Sequence, residues 1–112
     1  MPVRKPLEPV DAFLKEAKKC IRAGRIVFPR RVLSGMELLG MVKQEAFCIL
    51  ESLSAAELNK GPEADRNMPG VIWVFRKETP SYGCLYIKLK LVSDGNGRVV
   101  CISLHEWGRS CE

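Results

Sequence analysis

The segment from Leu85 to Trp107 constrains the fold of this chain more than any other part of its 112 residues. It contains two stretches in which apolar residues alternate with polar or basic ones, separated by Asp94-Gly95-Asn96-Gly97. Alternation with a period of two is typical of a strand with one buried and one wet face, and Asn-Gly pairs favour tight hairpin turns. The segment therefore predicts two antiparallel strands joined by a turn.

The position of the turn decides which residues face each other. A two-residue turn at Gly95-Asn96 brings the apolar residues together on one face, pairing Leu91 with Val100, Leu89 with Ile102 and Ile87 with Leu104. The same register places Tyr86 opposite His105, whereas a turn at Asn96-Gly97 would place Lys88 there. With either turn, Tyr86, Lys88 and His105 share the wet face.

Helical spacing of apolar residues predicts three helices before the hairpin. The predicted helices run from Asp11 to Gly24, from Arg31 to about Met41 and from Lys43 to Leu53, and a short helical turn follows at Ser54–Glu57. Further strands are predicted at Arg25–Phe28 and Val71–Phe75, with a polar loop from Glu63 to Gly70. Helices followed by strands predict an α+β fold, with N-terminal helices packed on one face of a small antiparallel sheet.

The chain length favours one domain. We expect a flexible lead-in over residues 1–10, a single domain over 11–107 and a tail over 108–112. No apolar run approaches the roughly 18 residues of a membrane helix, and the N-terminus lacks an apolar signal core, so a cytoplasmic protein with no membrane association is expected.

The net charge of +5 and the pI near 9.1 favour an anionic partner such as nucleic acid. The alternative to a nucleic-acid-binding face is an ordinary solvated sheet face with no binding role, on which tyrosine and lysine are common. Five cysteines without a CxxC pair, together with a single histidine, predict neither a metal site nor a cofactor. Cys101 shares the predicted face of His105, so a thiol nucleophile is an alternative.

Several short segments, in this order and spacing, resemble the MqsR-type toxins of bacterial toxin–antitoxin systems, which are RelE-like mRNA interferases. The matching segments are AGRIVF, LSAAELNK, IW, YIKL and VVCISLHE, and the resemblance covers roughly residues 11 to 106. It implies a RelE-like fold and a ribosome-independent endoribonuclease that cuts mRNA at short sequences without a metal ion. It also implies an antitoxin partner encoded by a neighbouring gene.

The resemblance assigns a catalytic set of four residues to this chain. Lys60 in AELNK matches the lysine after the third helix, although Asn59 replaces the usual aromatic residue before it. Tyr86 and Lys88 match the tyrosine and lysine of the YxK strand, and His105 in SLHE lies where relatives often have lysine. The glutamine that usually follows IW has no counterpart, because Val74 stands there.

RNA-binding residues are expected around this set. Arg76 is the nearest match to the family's arginine, and Lys90 extends the basic strand face. Trp73 is predicted either to stack on a base or to lie in the core, and Trp107 either to cap the sheet edge or to stack on a nucleotide.

These residue types suit metal-free RNA cleavage. A base must take the proton of the ribose 2′-OH, cations must stabilise charge on the phosphate, and an acid must protonate the leaving oxygen. Histidine suits the acid or the base because its unperturbed pKa is about 6.5. The competing functions are a non-catalytic RNA- or protein-binding module that uses the same basic face and a ribosome-dependent RelE-like toxin.

Overall fold

A computed structural model of the protein describes residues 9–93, 95 and 97–108. Three α-helices come first, with one short strand between the first two, and the other four strands follow a single 3₁₀ turn at Ala55–Glu57. The helices are α1 (Pro9–Arg22), α2 (Arg30–Leu39) and α3 (Lys43–Glu51). The strands are β1 (Ile26–Val27), β2 (Leu58–Ala64), β3 (Val71–Thr79), β4 (Gly83–Val92) and β5 (Arg98–Glu106).

The five strands form one sheet in the order β1-β5-β4-β3-β2. All neighbouring pairs are antiparallel except β1 and β5, which run parallel. The α+β architecture predicted from the sequence is confirmed, and the sheet is mostly rather than wholly antiparallel.

The helices pack on one face of this sheet. On α1, Phe13 lies between helix and sheet, and its ring stacks on Trp73 at 5.3 Å and on Phe75 at 6.4 Å between centroids. The sheet side of the core consists of the inward residues of the three longest strands: Trp73, Phe75, Leu85, Ile87, Leu89, Val99, Cys101 and Leu104. Burial of this face leaves the opposite face for polar and basic side chains.

Local signals place the helix ends close to their predicted positions. Gly24 adopts a φ of 77°, and the amide of Arg25 donates to the carbonyl of Cys20 at 2.8 Å, which closes the C-terminus of α1. The predicted capping box is confirmed, because Glu57 Oε1 accepts from the backbone amide of Ser54 at 2.9 Å. The helix α1 begins at Pro9, so Pro9 and Val10 do not belong to the predicted lead-in. None of the helices in the described ranges is both long and apolar enough to span a membrane.

The strand β2 corrects the predicted polar loop, which was wrong for Glu63 and Ala64. Its sequence LNKGPEA has no apolar alternation and contains Gly61 and Pro62, both of which disfavour strands. An edge strand needs only one hydrogen-bonding edge, so β2 can pair with β3 despite Pro62, with register shifts on both sides of Lys60.

The predicted hairpin register is right at one end and wrong at the other. Tyr86 faces His105, and Ile87 faces Leu104, but a β-bulge follows Lys88. Beyond it Leu89 faces Cys101 and not Ile102, and Leu91 faces Val99 and not Val100. The predicted turn pair Gly95-Asn96 includes Asn96, which lies outside the described residues.

The bulge changes which side chains of β5 face the core. Because Ile102 is the extra residue, Val99 and Cys101 turn inward, and both are completely buried. The carbonyl of Ile102 accepts a hydrogen bond from Arg31 Nη2 of α2 at 2.7 Å, so a tertiary contact holds the bulge.

Candidate active site

One row of side chains crosses three strands on the face away from the helices. Arg76 on β3 pairs with Tyr86 on β4, which pairs with His105 on β5. Directly paired residues on neighbouring strands lie about 5 Å apart at Cβ, so the backbone register alone brings these three side chains together. The predicted neighbours Tyr86 and His105 are thus confirmed as a pair, and the alternative pairing of Lys88 with His105 is wrong.

Three rings stack along this row. The ring of Tyr86 lies 4.9 Å from that of His105 at an interplanar angle of 13°, and 5.5 Å from that of Trp107 at 21°. The amide of Trp107 also donates to the carbonyl of Cys84 at 2.9 Å, which continues the pairing of β4 and β5 past the end of β5. Trp107 therefore supports Tyr86 at the end of the sheet.

The hydrogen bonding of His105 selects one tautomer. Nδ1 lies 2.8 Å from the backbone carbonyl oxygen of Glu106, which can only accept. Nδ1 must therefore carry the proton of the neutral ring, and the lone pair lies on Nε2. The side chain is exposed, so Nε2 can exchange a proton with a bound molecule.

A second, neighbouring row carries the lysines. Lys60 on β2 pairs with Val74 on β3, which pairs with Lys88 on β4. Strands are about 4.8 Å apart, so the Cα atoms of Lys60 and Lys88 are separated by roughly 10 Å, a span that two lysine side chains can bridge onto one phosphate. Val74 stands where the resemblance expected glutamine, and it is completely buried between the lysines.

Few anions neutralise these cations. Lys60 Nζ lies 3.9 Å from Glu63 Oε1, with both side chains about half exposed. Within residues 9–93, 95 and 97–108, no ion pair involves Arg76 or Lys88. Exposed pairs such as that of Lys60 are worth little, so all three cations remain available to an anionic ligand.

The predicted RNA contact of Lys90 is corrected by the structure. Its side chain is 7 % exposed, and Nζ donates to Asp65 Oδ2 at 2.6 Å. The pKa of Asp65 is lowered from 3.8 to about 2, mainly by this hydrogen bond from Lys90 and next by one from the amide of Asn67. Lys90 is thus covered and neutralised, and it anchors the segment over residues 65–70 to the sheet.

Trp73 is also corrected as an RNA-binding residue. It is 5 % exposed and stacks on Phe13 on the helix side of the sheet, opposite to Tyr86 and His105. Of its two predicted positions, the core is the right one.

Cys101 cannot serve as the alternative nucleophile. The bulge turns it to the core face, away from His105, and burial raises the pKa of its thiol to about 12. A thiol that stays protonated at neutral pH is a poor nucleophile.

The structure adds residues that the sequence did not point to. Lys60 and Lys88 line a cleft of about 280 Å³ together with Glu63, Arg66 and Asn67. The one sequence signal for this arrangement is Asp65, two residues before Asn67, a spacing at which an Asp side chain accepts from the following amides. Throughout the described ranges, this cleft included, no group of three or more His, Cys, Asp or Glu side chains could hold a metal ion.

A comparison with known protein families gave a match over most of the chain. The family described as the motility quorum-sensing regulator, toxin of MqsA, matches residues 11–106. The chain belongs to this MqsR toxin family. It is therefore a toxin of a toxin–antitoxin system, and the family implies an antitoxin partner, MqsA. Comparison with curated protein sequences gave no significant match.

Proposed function

We propose that this MqsR-family toxin is an endoribonuclease that cleaves single-stranded mRNA in the cytoplasm without a metal ion or ribosome. The observation that carries the proposal is the direct pairing of Tyr86 with His105 on a sheet face that also holds Arg76 and Lys88. A proton-transfer group beside a hydroxyl and two cations, neither of which forms an ion pair with any described residue, matches the needs of RNA transesterification. Cleavage of mRNA would stop translation and growth until the antitoxin binds.

The proposed reaction is attack of a ribose 2′-oxygen on the adjacent phosphorus. The bond from phosphorus to the 5′-oxygen of the next nucleotide breaks, leaving a 2′,3′-cyclic phosphate and a 5′-hydroxyl. One proton leaves the 2′-OH and one reaches the 5′-oxygen, so no oxidant or cofactor is needed. Only RNA has the attacking hydroxyl, which makes DNA resistant.

His105 supplies proton transfer through Nε2. With Nδ1 bonded to the carbonyl of Glu106, the neutral ring accepts a proton at Nε2 and the protonated ring donates one from the same atom. His105 is therefore the general base for the 2′-OH or the general acid for the 5′-oxygen. Tyr86, stacked against it, positions the 2′-OH or shares the proton transfer.

The cations form the phosphate clamp. Arg76 lies next to Tyr86, and Lys88 lies two residues further along β4, about 7 Å away. Lys60 reaches the same region from β2 once it leaves its weak pair with Glu63. Positive charge held on rigid strands stabilises the extra negative charge of the transition state without reorganisation.

The test is cleavage of a purified mRNA in EDTA without ribosomes, comparing the wild type with His105→Ala. The wild type should produce fragments with 5′-hydroxyl ends. His105→Ala should cut about 10² to 10⁴ times more slowly, because a positioned proton-transfer group contributes about that factor. Since the His105 side chain is exposed, the melting temperature of the His105→Ala variant should match that of the wild type.

Each alternative outcome would point to a different function or mechanism for this protein. Full cleavage by His105→Ala would remove histidine from the mechanism. Cleavage only on added ribosomes would indicate a ribosome-dependent toxin, and RNA binding without cleavage in either assay would indicate a binding module. Cleavage that EDTA abolishes would contradict the metal-free chemistry.

A further inference from the structure

The cleft that contains the two lysines of the phosphate clamp also has lining residues to which the proposed reaction gives no role. It is formed by β2, by the segment over residues 65–70 and by β4, with Lys60 and Lys88 in its lining. Its volume of about 280 Å³ lies just below the roughly 300 to 1,000 Å³ of pockets that bury drug-sized ligands. A cleft of this size next to two phosphate-binding lysines suits one nucleobase of the bound strand.

The lining combines an apolar floor with a preorganised polar wall. Ile72, which is 8 % exposed, forms the apolar floor of the cleft. Asp65 shapes the wall, because its Oδ1 accepts from the amides of Asn67 and Met68 at 2.9 and 3.3 Å, while its amide donates to the carbonyl of Gly70 at 3.1 Å. With Asp65 also held by Lys90, the backbone that carries Asn67 is fixed before any ligand arrives.

Glu63 is the carboxylate of the cleft that remains open to a ligand. Both oxygens of Asp65 are already hydrogen-bonded, whereas the 3.9 Å contact with Lys60 is the one polar contact of the Glu63 carboxylate among the residues that the structure describes. That distance exceeds a hydrogen bond, and the Glu63 side chain is 45 % exposed. Glu63 can therefore exchange Lys60 for another donor, and the same exchange releases Lys60 toward a phosphate.

We propose that the cleft binds one unpaired base next to the cleaved phosphate and that Glu63 selects a base with an exocyclic amino group. This inference rests on the proposed function and adds a specificity residue to it. An ionised carboxylate only accepts hydrogen bonds, and adenine, cytosine and guanine each offer an amino group on the edge that single-strand binders read. Uracil flanks its one N–H with two carbonyl oxygens, which repel a carboxylate.

The test reads base preference separately from rate. Random single-stranded RNA is cut to low conversion, and the ends are sequenced. The wild type should show one position near the cut from which uracil is depleted at least about fivefold, the lower end of what one specific base contact contributes. Glu63→Gln, whose amide both donates and accepts, should admit uracil and abolish that depletion.

The chain supplies a matched control in Glu16→Gln. Glu16 is an exposed glutamate three residues from a lysine, and its Oε1 lies 3.4 Å from Lys19 Nζ, so it repeats the setting of Glu63 on the far helix α1. This variant should cut with the base preference of the wild type.

A binding measurement keeps the inference testable without cleavage. Adenosine, cytidine and guanosine monophosphates should shift the amide NMR signals of residues 63–67 more than uridine monophosphate does. If the wild type cuts RNA and Glu63→Gln keeps the same base distribution, the inference is overturned and the proposed function stands. If the wild type cuts no RNA, the proposed function fails, and equal shifts with all four nucleotides then overturn the inference as well.

Discussion

Tyr86 and His105 face each other across β4 and β5, with ring centroids 4.9 Å apart and ring planes within 13° of parallel. Backbone hydrogen bonds of the sheet hold this pair, and Trp107 stacks on the same tyrosine. Groups placed on rigid strands keep their geometry better than groups on loops, which is what proton transfer requires. The stack and the tyrosine hydroxyl can be tested separately.

Tyr86→Phe should keep the stack and lose only the hydroxyl. If that hydroxyl positions the 2′-OH or shares proton transfer, cleavage should fall about 10- to 100-fold, the lower part of the range for such groups. Tyr86→Ala, which also removes the support of His105, should cut still more slowly. The measurement is the single-turnover rate at saturating RNA.

The other tyrosine provides the control. Tyr82 donates to Glu45 Oε2 at 2.6 Å and lies on the helix side of the turn between β3 and β4. Tyr82→Phe should change the melting temperature and leave the cleavage rate alone. Equal rates for Tyr86→Phe and Tyr82→Phe would exclude a role for the Tyr86 hydroxyl.

Lys88→Ala should weaken binding of single-stranded RNA and reduce its salt dependence. The logarithm of affinity falls with the logarithm of salt concentration by about 0.7 for each phosphate contact in a single strand, so the slope should drop by about 0.7. The measurement is the Kd of a 2′-O-methyl oligonucleotide, which cannot be cleaved, between low and moderate salt.

Lys43→Ala is the matched control for this lysine. Lys43 is exposed at the first position of α3, on the opposite side of the sheet. Its removal should leave the salt slope unchanged to first order. Equal slopes for both variants would show that Lys88 does not touch phosphate.

Asp65→Asn should destabilise the protein at neutral pH, because Lys90 would remain buried without its partner. The folded-state pKa of Asp65 is lowered from 3.8 to about 2, so the stabilisation is fully present above about pH 4 and is lost as pH falls through 2. Melting temperatures of wild type and variant should therefore differ at pH 7 and converge near pH 2. A gap that persists at pH 2 would contradict an ionic cause.

Trp73→Ala should lower the free energy of unfolding by about 3–5 kcal/mol, as expected for a large aromatic side chain removed from a core. Trp73→Phe should retain most of the stability and all of the RNA affinity, because the ring packs on Phe13 away from the proposed RNA face. Denaturant unfolding and RNA binding measure the two quantities. Loss of affinity in a stably folded Trp73→Phe would return Trp73 to the RNA site.

Several features of the fold and of the candidate site could be read from local sequence. The α1 helix, its end at Gly24 and the capping box at Ser54 depend on residues within a few positions of each other. The shared face of Tyr86, Lys88 and His105 was predictable because apolar alternation on both strands demands a common core face, whereas the choice of Tyr86 over Lys88 opposite His105 came from the structure.

Other features depend on contacts between distant residues. The strand β2 forms from an unfavourable sequence because β3 offers it an open edge, and this places Lys60 in the same cleft as Lys88, on the far side of Val74. The 2.6 Å bond from Lys90 to Asp65 covers a lysine that alternation alone assigns to the RNA face.

The hairpin shows where local pattern ends and tertiary structure takes over. Alternation of apolar and polar residues determines that β4 and β5 pair and that Tyr86, Lys88 and His105 share one face, since a one-residue slip there would bury polar groups. The structure decides that Tyr86 rather than Lys88 faces His105. The bulge at Ile102, which sends Cys101 into the core, follows from packing against the helices and from the hydrogen bond of Arg31. Both faces of β5 carry apolar residues near the bulge, so the predicted register without a bulge and the observed register with one both place apolar residues on the core face. Packing of the helices on one face of the sheet decides which of the two registers forms.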